Sequence, residues 1–482
     1  MLRNEHEVMA VDLDTLSLLH YNPRQIEISK RTLRLTFSAD VTVHGLNGQR
    51  WSSDAFLALP VSALGAEYMV AAYPNTLKAG QVVPDLGVSD FPSQFCIVAT
   101  DDNTLVTIQP TAHINNRISN EVFTITLQRG EAFIAQAAGG TGTDLTGTRV
   151  SSSKSVAVFG GHQRANVPYS GAVGRDHLVE QLLPLHRWRT HMIAVSHRQL
   201  NWSREGRGVD IVRIMASESN TTVSISGFPN RTMSAGEVIE ISLTTPRVIT
   251  ATKPVYANEF KCSATDEKFV SVPNDSIADP FMTTVVPPEY FDTAYTFRTM
   301  GGKNQTRHFL NIIVARDEWR DLRLDGKPLV GNTVGAIEGT RYEHVDLEIA
   351  AGAHRLTGRT PFGAMAYGYG VYNSYGYPLG MVFDPIPLRV DESTDYSFRL
   401  TLSPNPAVDD VHLSLMSTRR FKARVDIVNA RGVVVATHPS QSYDAGSSRI
   451  RIDCTGFASG VYVARLFDER GVRLSRVFSV VR

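Results

Sequence analysis

The sequence predicts an all-β protein: tandem β-repeats of about 105 residues, built as propeller-like meanders or β-sandwiches, followed by a small Ig-like β-sandwich. Three observations lead there. Apolar and polar residues alternate over short stretches along most of the chain, motifs recur at long intervals, and the composition changes near residue 383.

The alternation is clear in "TLRLTF" (32–37), "FTITL" (123–127), "TTVSISG" (221–227), "RIRID" (449–453) and "VYVARLF" (461–467). Period-two runs bounded by Gly, Asn, Asp and Ser mark half-buried strands joined by tight turns. Only "PVSALGAEYM" (60–69) and "ARDEWRDL" (315–322) read as short helices.

The repeats follow. "CIVATDDNTLVTIQ" (96–109) aligns with "RIMASESNTTVSIS" (213–226) and "IIVARDEWRDLRLD" (312–325), which makes Ile97, Ile214 and Ile313 equivalent. "LQRGEAF", "MSAGEVI" and "IAAGAHR" recur around Gly130, Gly236 and Gly352. Next come "SSSKSVAVFGGH", "TATKPVYANEF" and "GRTPFGAMAYG". Residues 1–382 are therefore one β-repeat region whose first unit is incomplete. Residues 383–397, proline-containing and acidic, read as a linker. Residues 398–482 carry enough strand signals for one small sandwich.

The 48 basic and 48 acidic residues cancel, which removes any global case for nucleic acid or an anionic membrane. The last segment, 398–482, holds 13 Lys and Arg against 7 Asp and Glu, a net +6, so the rest carries −6. Cys96, Cys262 and Cys454 are too few and too far apart for a disulfide framework or a thiolate zinc site. No apolar run reaches membrane-spanning length. The opening "MLRNEHEVMAVDLDTLSLLHYN" lacks the continuous apolar core of a secretion signal.

Candidate chemistry centres on "DHLVEQLLP" (176–184), which follows "GGHQ" (160–163) and sets Asp176 and His177 near His162. These three define the alternative of a secreted hydrolase. The related stretches "SDAFLALP" (53–60) and "DPFMTTVVP" (279–287) keep the aspartate, as Asp54 and Asp279, and the proline, at Pro60, Pro184 and Pro287. They replace the histidine by Ala55 and Pro280. Repeated Asp and Pro are turn chemistry, so the aspartates are expected to cap equivalent turns. His162, His177, His186, His191 and His197 show no HExxH spacing, so no metal site is assigned. The polar turns Asp101-Asp102-Asn103, Glu218-Ser219-Asn220 and Asp317-Glu318-Trp319 read as hairpin turns rather than calcium loops. "GGTGTDLTGT" (139–148) lacks the lysine and helix of a phosphate loop. No catalytic, cofactor-binding or metal-binding residue is assigned. The tyrosines of "YGYGVYNSYGYP" (367–378) either face a sugar or protein partner or form a strand that closes the array. "DTL" (14–16), "DSI" (275–277) and "DTA" (292–294) resemble O-glycosylation acceptors of Bacteroidetes.

Two family resemblances follow from these motifs. "LSPNPAVDDVHLSL" (402–415), "VDIVNARGVVV" (425–435), "IRIDCTGFASGVYVARL" (450–466) and "RLSRVFSVVR" (473–482) occur in order. This segment resembles the C-terminal type IX secretion (Por) sorting domain of Bacteroidetes cargo, matched at Pro404-Asn405-Pro406, Gly432, Gly460-Val461-Tyr462 and Val480-Val481-Arg482. Residues from about 26 to 380 resemble the N-terminal domain family of the IgG Fc-binding protein, through "SDAFLALPVSALGAEYMV" (53–70), "TRVSSSKSVAVFGGHQ" (148–163), "DHLVEQLLP" and "VRIMASESNTTVSI" (212–225). The resemblances imply a non-enzymatic β-repeat binding or adhesion protein, extracellular or on the outer cell surface. They imply export by the type IX machinery through residues 398–482 and an extracellular glycoprotein or glycan ligand, with no nucleic acid and no cofactor. The resembling sequences would carry a signal and a fuller first half-unit, so either the start is misplaced, sequence has been lost, or this copy is a remnant. A structural surface spacer is the third reading.

Overall fold

In the computed structural model, the described residues are 28–481 apart from 31, 39–40, 50–51, 77–90, 115–116, 170–174, 200–205, 208–209, 264–278, 301–304, 371–372, 384–397, 404, 418–419, 430–432, 445 and 469–470. They fall into two compact units, Met1–Met381 and Val382–Arg482. The linker expected at 383–397 lies almost wholly outside the described residues.

The first unit contains three β-units, and each is organised by one long strand: Arg149–Ala165, Arg247–Phe260 and Ala353–Gly370. The first half of Arg149–Ala165 pairs with Thr104–Gln109 and Gly65–Met69. Its second half pairs with Ser93–Ala99 and Asp176–Gln181. The strand thus belongs to two layers, and the apolar side chains close between them. In the second unit, Met192, Val212, Ile214, Val223, Ile239, Ile249 and Val255 form one buried cluster. The units are curled two-layer sheets, an arrangement absent from a row of four-stranded blades.

The bend has a sequence cause. Against its first partner each long strand skips residues at the same place. The pairing jumps from Val156 to Ser151, from Val255 to Thr250 and from Phe362 to Thr357. "SKS", "TKP" and "RTP" lie in the bulges, where Pro254 and Pro361 need no ladder donor. Two units lock the bend with a tyrosine. Tyr68 donates its hydroxyl to Val156 O at 2.7 Å and accepts from Gly65 N, and Tyr295 does the same with Phe362 O at 2.6 Å and Asp292 N.

The hairpin turns are as expected in two units. Asn103 and Asn220 take left-handed φ of 54° and 57°. Thr104 and Thr221 hydroxyls close back on Asp101 O and Glu218 O. In the third unit a short 3-10 helix, Glu318–Asp321, replaces the turn. A second 3-10 turn, Val61–Ala63, stands within the other helix-like stretch and is followed by the strand Gly65–Met69.

Two expectations need correction, and one open choice is resolved. Residues 32–37, "TLRLTF", form no strand, and Leu33, Leu35 and Phe37 are exposed. Alternation needs a partner to become a strand. The nearest anchors are Ile28–Ser29 pairing with Phe133 and Ala132, and Thr32 Oγ1 donating to Gly130 O. The third-unit equivalent of Ile97 and Ile214 is Ile312, not Ile313. Ile97, Ile214 and Ile312 oppose Val158, Ala257 and Ala364, each two residues past the bulge. Of the two readings of the tyrosine-rich stretch, the strand that closes the array is the one found among its described residues. Tyr367, Tyr369, Tyr375 and Tyr377 are fully buried.

The second compact unit is a sandwich of a three-stranded and a four-stranded sheet. Its core includes Val411, Leu413, Val425, Ile427, Ile450, Tyr462, Leu466 and Phe478. Asp468 pairs with Gly471 at the end of the Gly460–Asp468 and Gly471–Val480 ladder. The final strand, Gly471–Val480, lies on Gly460–Asp468 and is also tied to Ala407. Gly432 lies outside the described residues.

Candidate functional site

The three β-units meet where the short strands Ser52–Ala58, Asp176–Gln181, Met282–Thr284 and Asn373–Pro378 converge. Each of the last three finishes one unit's sheet on its long strand. Asn373–Pro378, the last of them, lies beside Ser52–Ala58, the first. His44 reinforces this closure. Its ring lies 4.4 Å from that of Tyr377 and its Nε2 donates to Leu379 O at 3.2 Å. The array is thus closed between Ser52–Ala58 and Asn373–Pro378.

Buried carboxyls occupy this junction: Asp54, Asp176, Glu180 and Asp279. Asp54 accepts backbone N–H from Ala55, Val179 and Met282, three separate strands. Asp176 accepts from Ser53, His177 and Ser374. Glu180 accepts from Thr284 N at 2.9 Å. A carboxylate that takes N–H groups from several strands fixes the approach of strands that share no ladder. Burial pushes Asp54 well above the usual carboxylate range, against the pull of its backbone donors. Burial, then the neighbouring Asp279 carboxyl, does the same to Asp176. Asp279 is raised to about 7 by burial, with Arg164 pulling the other way.

The aspartates do not act as equivalent turn caps: Asp54 and Asp176 bind N–H groups of distant strands, and no side-chain hydrogen bond caps the 3-10 turns after Pro60, Pro184 and Pro287. Measured from the 3-10 turn that follows Pro60, Pro184 and Pro287, Ser52 and not Asp54 occupies the place of Asp176 and Asp279. Asp54 reaches the junction from two residues nearer its proline and takes over donors of the other strands.

Asp176, His177 and His162 do not assemble an acid–base relay here. The His177 ring donates from Nδ1 to Gln163 O at 3.1 Å and accepts at Nε2 from Asn47 Nδ2 at 3.0 Å. Asp176 binds the His177 backbone rather than its ring. His162 is fully buried, accepts from Arg164 N and is lowered to about 3, chiefly by burial. The five clustered histidines do not converge. His186 lies against Gly65, and His191 is on the strand Arg189–Ala194.

His197 instead joins residues the sequence did not single out. Its Nδ1 lies 2.9 Å from Asp210 Oδ2 and 3.1 Å from Glu259 Oε1, and Lys261 Nζ lies 2.8 Å from Asp210 Oδ1. All four are buried. The donor atoms of His197, Asp210 and Glu259 lie within 4.8 Å of one another, a spacing a divalent ion accepts. The Lys261 ammonium already supplies a cation there. Burial would raise Asp210; the Lys261 charge and the His197 bond bring it below the usual range. Aligning the three repeats strand by strand would have exposed this cluster, because only the second carries charge at these core positions.

Among known proteins, residues 54–368 match the family model described as IgGFc binding protein. Residues 401–478 match the model described as a secretion system C-terminal sorting domain. The human IgGFc-binding protein is 24% identical over 344 residues, which is 68% of this chain and 6% of that protein, so the chain spans a small part of its relative's length. Among solved structures, dimeric latent PorU from Porphyromonas gingivalis aligns at 10% identity over 63% of this chain and 35% of that one, with a TM-score of 0.18. Alpha-2-macroglobulin from E. coli aligns at 8% identity over 90% and 31%, with a TM-score of 0.19. Neither score carries an argument about fold or function.

Proposed function

This chain belongs to the IgGFc binding protein family, and on that premise we propose that it is a non-enzymatic extracellular binding protein exported through its C-terminal sorting domain. The observation that carries the reading is the order of the two family matches: a β-repeat region at 54–368 followed by a sorting domain at 401–478. The human relative is named for binding IgG Fc. The ligand class inferred here is an extracellular glycoprotein or glycan. Residues 398–482 engage the type IX secretion machinery, and the product stands outside the cell or on its outer surface. The hydrogen bonding of Asp176 and His177 supports a structural role for both, which favours binding over hydrolysis.

The test is direct. Full-length protein is passed over immobilised IgG Fc, mucin and a glycan array, and each ligand is then analysed for cleavage. Saturable binding with the ligand intact is expected. Turnover of any ligand, or no binding across the panel, contradicts the reading.

A further inference from the structure

The buried group His197, Asp210, Glu259 and Lys261 has no counterpart in the other two units. Asp210 and Lys261 oppose each other one step beyond the Ile211–Phe260 pair of their two strands. The same cross-strand register holds Ser93 opposite His162 in the first unit and His308 opposite Gly368 in the third. Glu259 corresponds to Gly160 and Ala366. The fold therefore closes at this register without an acid–lysine pair in two cases of three. A fully buried ammonium–carboxylate pair is costly to desolvate, and apolar residues would serve packing at least as well. The second unit keeps three ionisable residues there for some other reason.

We propose that Lys261 and Asp210 form an intramolecular isopeptide bond, with Glu259 as the proton carrier. Five features of the site support it. Lys261 Nζ is 2.8 Å from Asp210 Oδ1, so the amine is held beside the carboxyl carbon it would attack, one bond beyond that oxygen. Neither side chain is exposed, so water does not compete. Glu259 and Lys261 are two residues apart on an extended segment and so share a face. The Glu259 carboxyl lies within 4.8 Å of that of Asp210, and His197 Nδ1 lies between the two. The surroundings are aromatic: the His197 ring packs edge-on to Phe281 at 4.7 Å and to Tyr367 at 4.9 Å, and Phe309 and Tyr369 complete the cluster.

The step balances without an added reactant. The step begins when the Lys261 ammonium passes a proton to the Asp210 carboxylate, against the Lys261 and His197 interactions that hold Asp210 below its usual range, leaving a neutral amine and a neutral acid. The Nζ lone pair attacks Cγ, the N–C bond forms, and the carbonyl π pair moves onto oxygen. Glu259 accepts a proton from Nζ and delivers it to the departing hydroxyl. The C–O bond breaks, the carbonyl re-forms and one water leaves. Nothing is oxidised or reduced. The amide ties the start of Asp210–Ala216 to the end of Arg247–Phe260, a covalent staple within the second unit.

The experiment is the intact mass of the purified full chain under denaturing conditions, followed by a tryptic map. The expected result is a mass lower than the sequence mass by one water, with Asp210 and Lys261 in a single branched peptide. Glu259→Gln and Lys261→Arg should both show the full sequence mass, and Lys261→Arg keeps the positive charge on which folding of the pair depends. A wild-type chain at full mass, with the two residues in separate linear peptides, overturns the proposal. The same full mass together with a bound divalent cation also overturns it and makes the cluster a metal centre. A Glu259→Gln chain that still loses the water overturns the role of Glu259.

Discussion

Asn405 and Ser479 are 74 positions apart, yet the Asn405 side-chain oxygen accepts from both the Ser479 N–H at 2.9 Å and its hydroxyl at 3.1 Å. Ala407 extends the clasp by donating its N–H to Ser479 O and accepting from Val481 N. Asn405 and Ala407 are thus one structural element with the strand Gly471–Val480.

Asn405→Ala removes both bonds to Ser479. Domain stability should fall by about 1–2 kcal/mol, the size of two partly exposed hydrogen bonds. Denaturant titration of residues 398–482 within the full chain, followed by a local probe, measures it. A change below about 0.3 kcal/mol would mean that the clasp contributes no stability.

Asp54 ties three strands of the central junction, so Asp54→Ala leaves the N–H groups of Ala55, Val179 and Met282 without their acceptor. A loss of about 3 kcal/mol or more is expected, since each buried orphan donor costs about 1–3 kcal/mol. Thermal unfolding of the variant should show it. A melting temperature equal to wild type would remove the junction from the account of how the units are held.

The pH response follows from Asp279, whose carboxyl is raised to about 7 by burial. The folded state keeps a proton that the unfolded chain has lost at the ordinary carboxylate pKa. The stabilisation is therefore complete below about pH 4 and is lost as pH rises through about 7, by up to about 4 kcal/mol. Asp279→Asn imitates the protonated form and should flatten this slope. Denaturation midpoints of both proteins at about pH 5 and about pH 8 give the comparison. Parallel slopes in the two would show that Asp279 is not the titrating group.

The tyrosine locks at Tyr68 and Tyr295 offer a test of the repeat itself. Tyr68→Phe and Tyr295→Phe each remove a hydroxyl that bridges a strand start to a bend. Each should cost about 1–2 kcal/mol. The double variant should show their sum within about 0.5 kcal/mol, because the sites lie in different units. A strongly non-additive result would mean that the units are not independent at their bends.

Much of the fold was legible in the sequence because strand burial writes itself as alternation. The repeats were legible because each bend needs the same short run before its apolar segment. Two alignments slipped for physical reasons. Asp54 matched Asp176 by residue type, although the 3-10 turn after the proline is the fixed point. Ile313 matched by adjacency, while cross-strand register selects Ile312. "TLRLTF" reads as a strand because periodicity reports an amphipathic edge and not the presence of a partner for it. The Asp210–Glu259–Lys261 cluster went unread because charged residues inside "VDIVRIMA" and "YANEFKC" look like ordinary polar positions until their burial is known.

The central claim is that a binding region is carried out of the cell by the domain at 398–482, and export measures it most directly. The chain, preceded by a signal peptide, is expressed in a type IX-competent host beside a version lacking residues 471–482. The truncation removes the last strand, uncovers the Gly460–Asp468 edge and leaves Asn405 without Ser479. Full-length protein should reach the medium or the outer surface while the truncated form is retained in the periplasm. Equal export of the two would contradict the account.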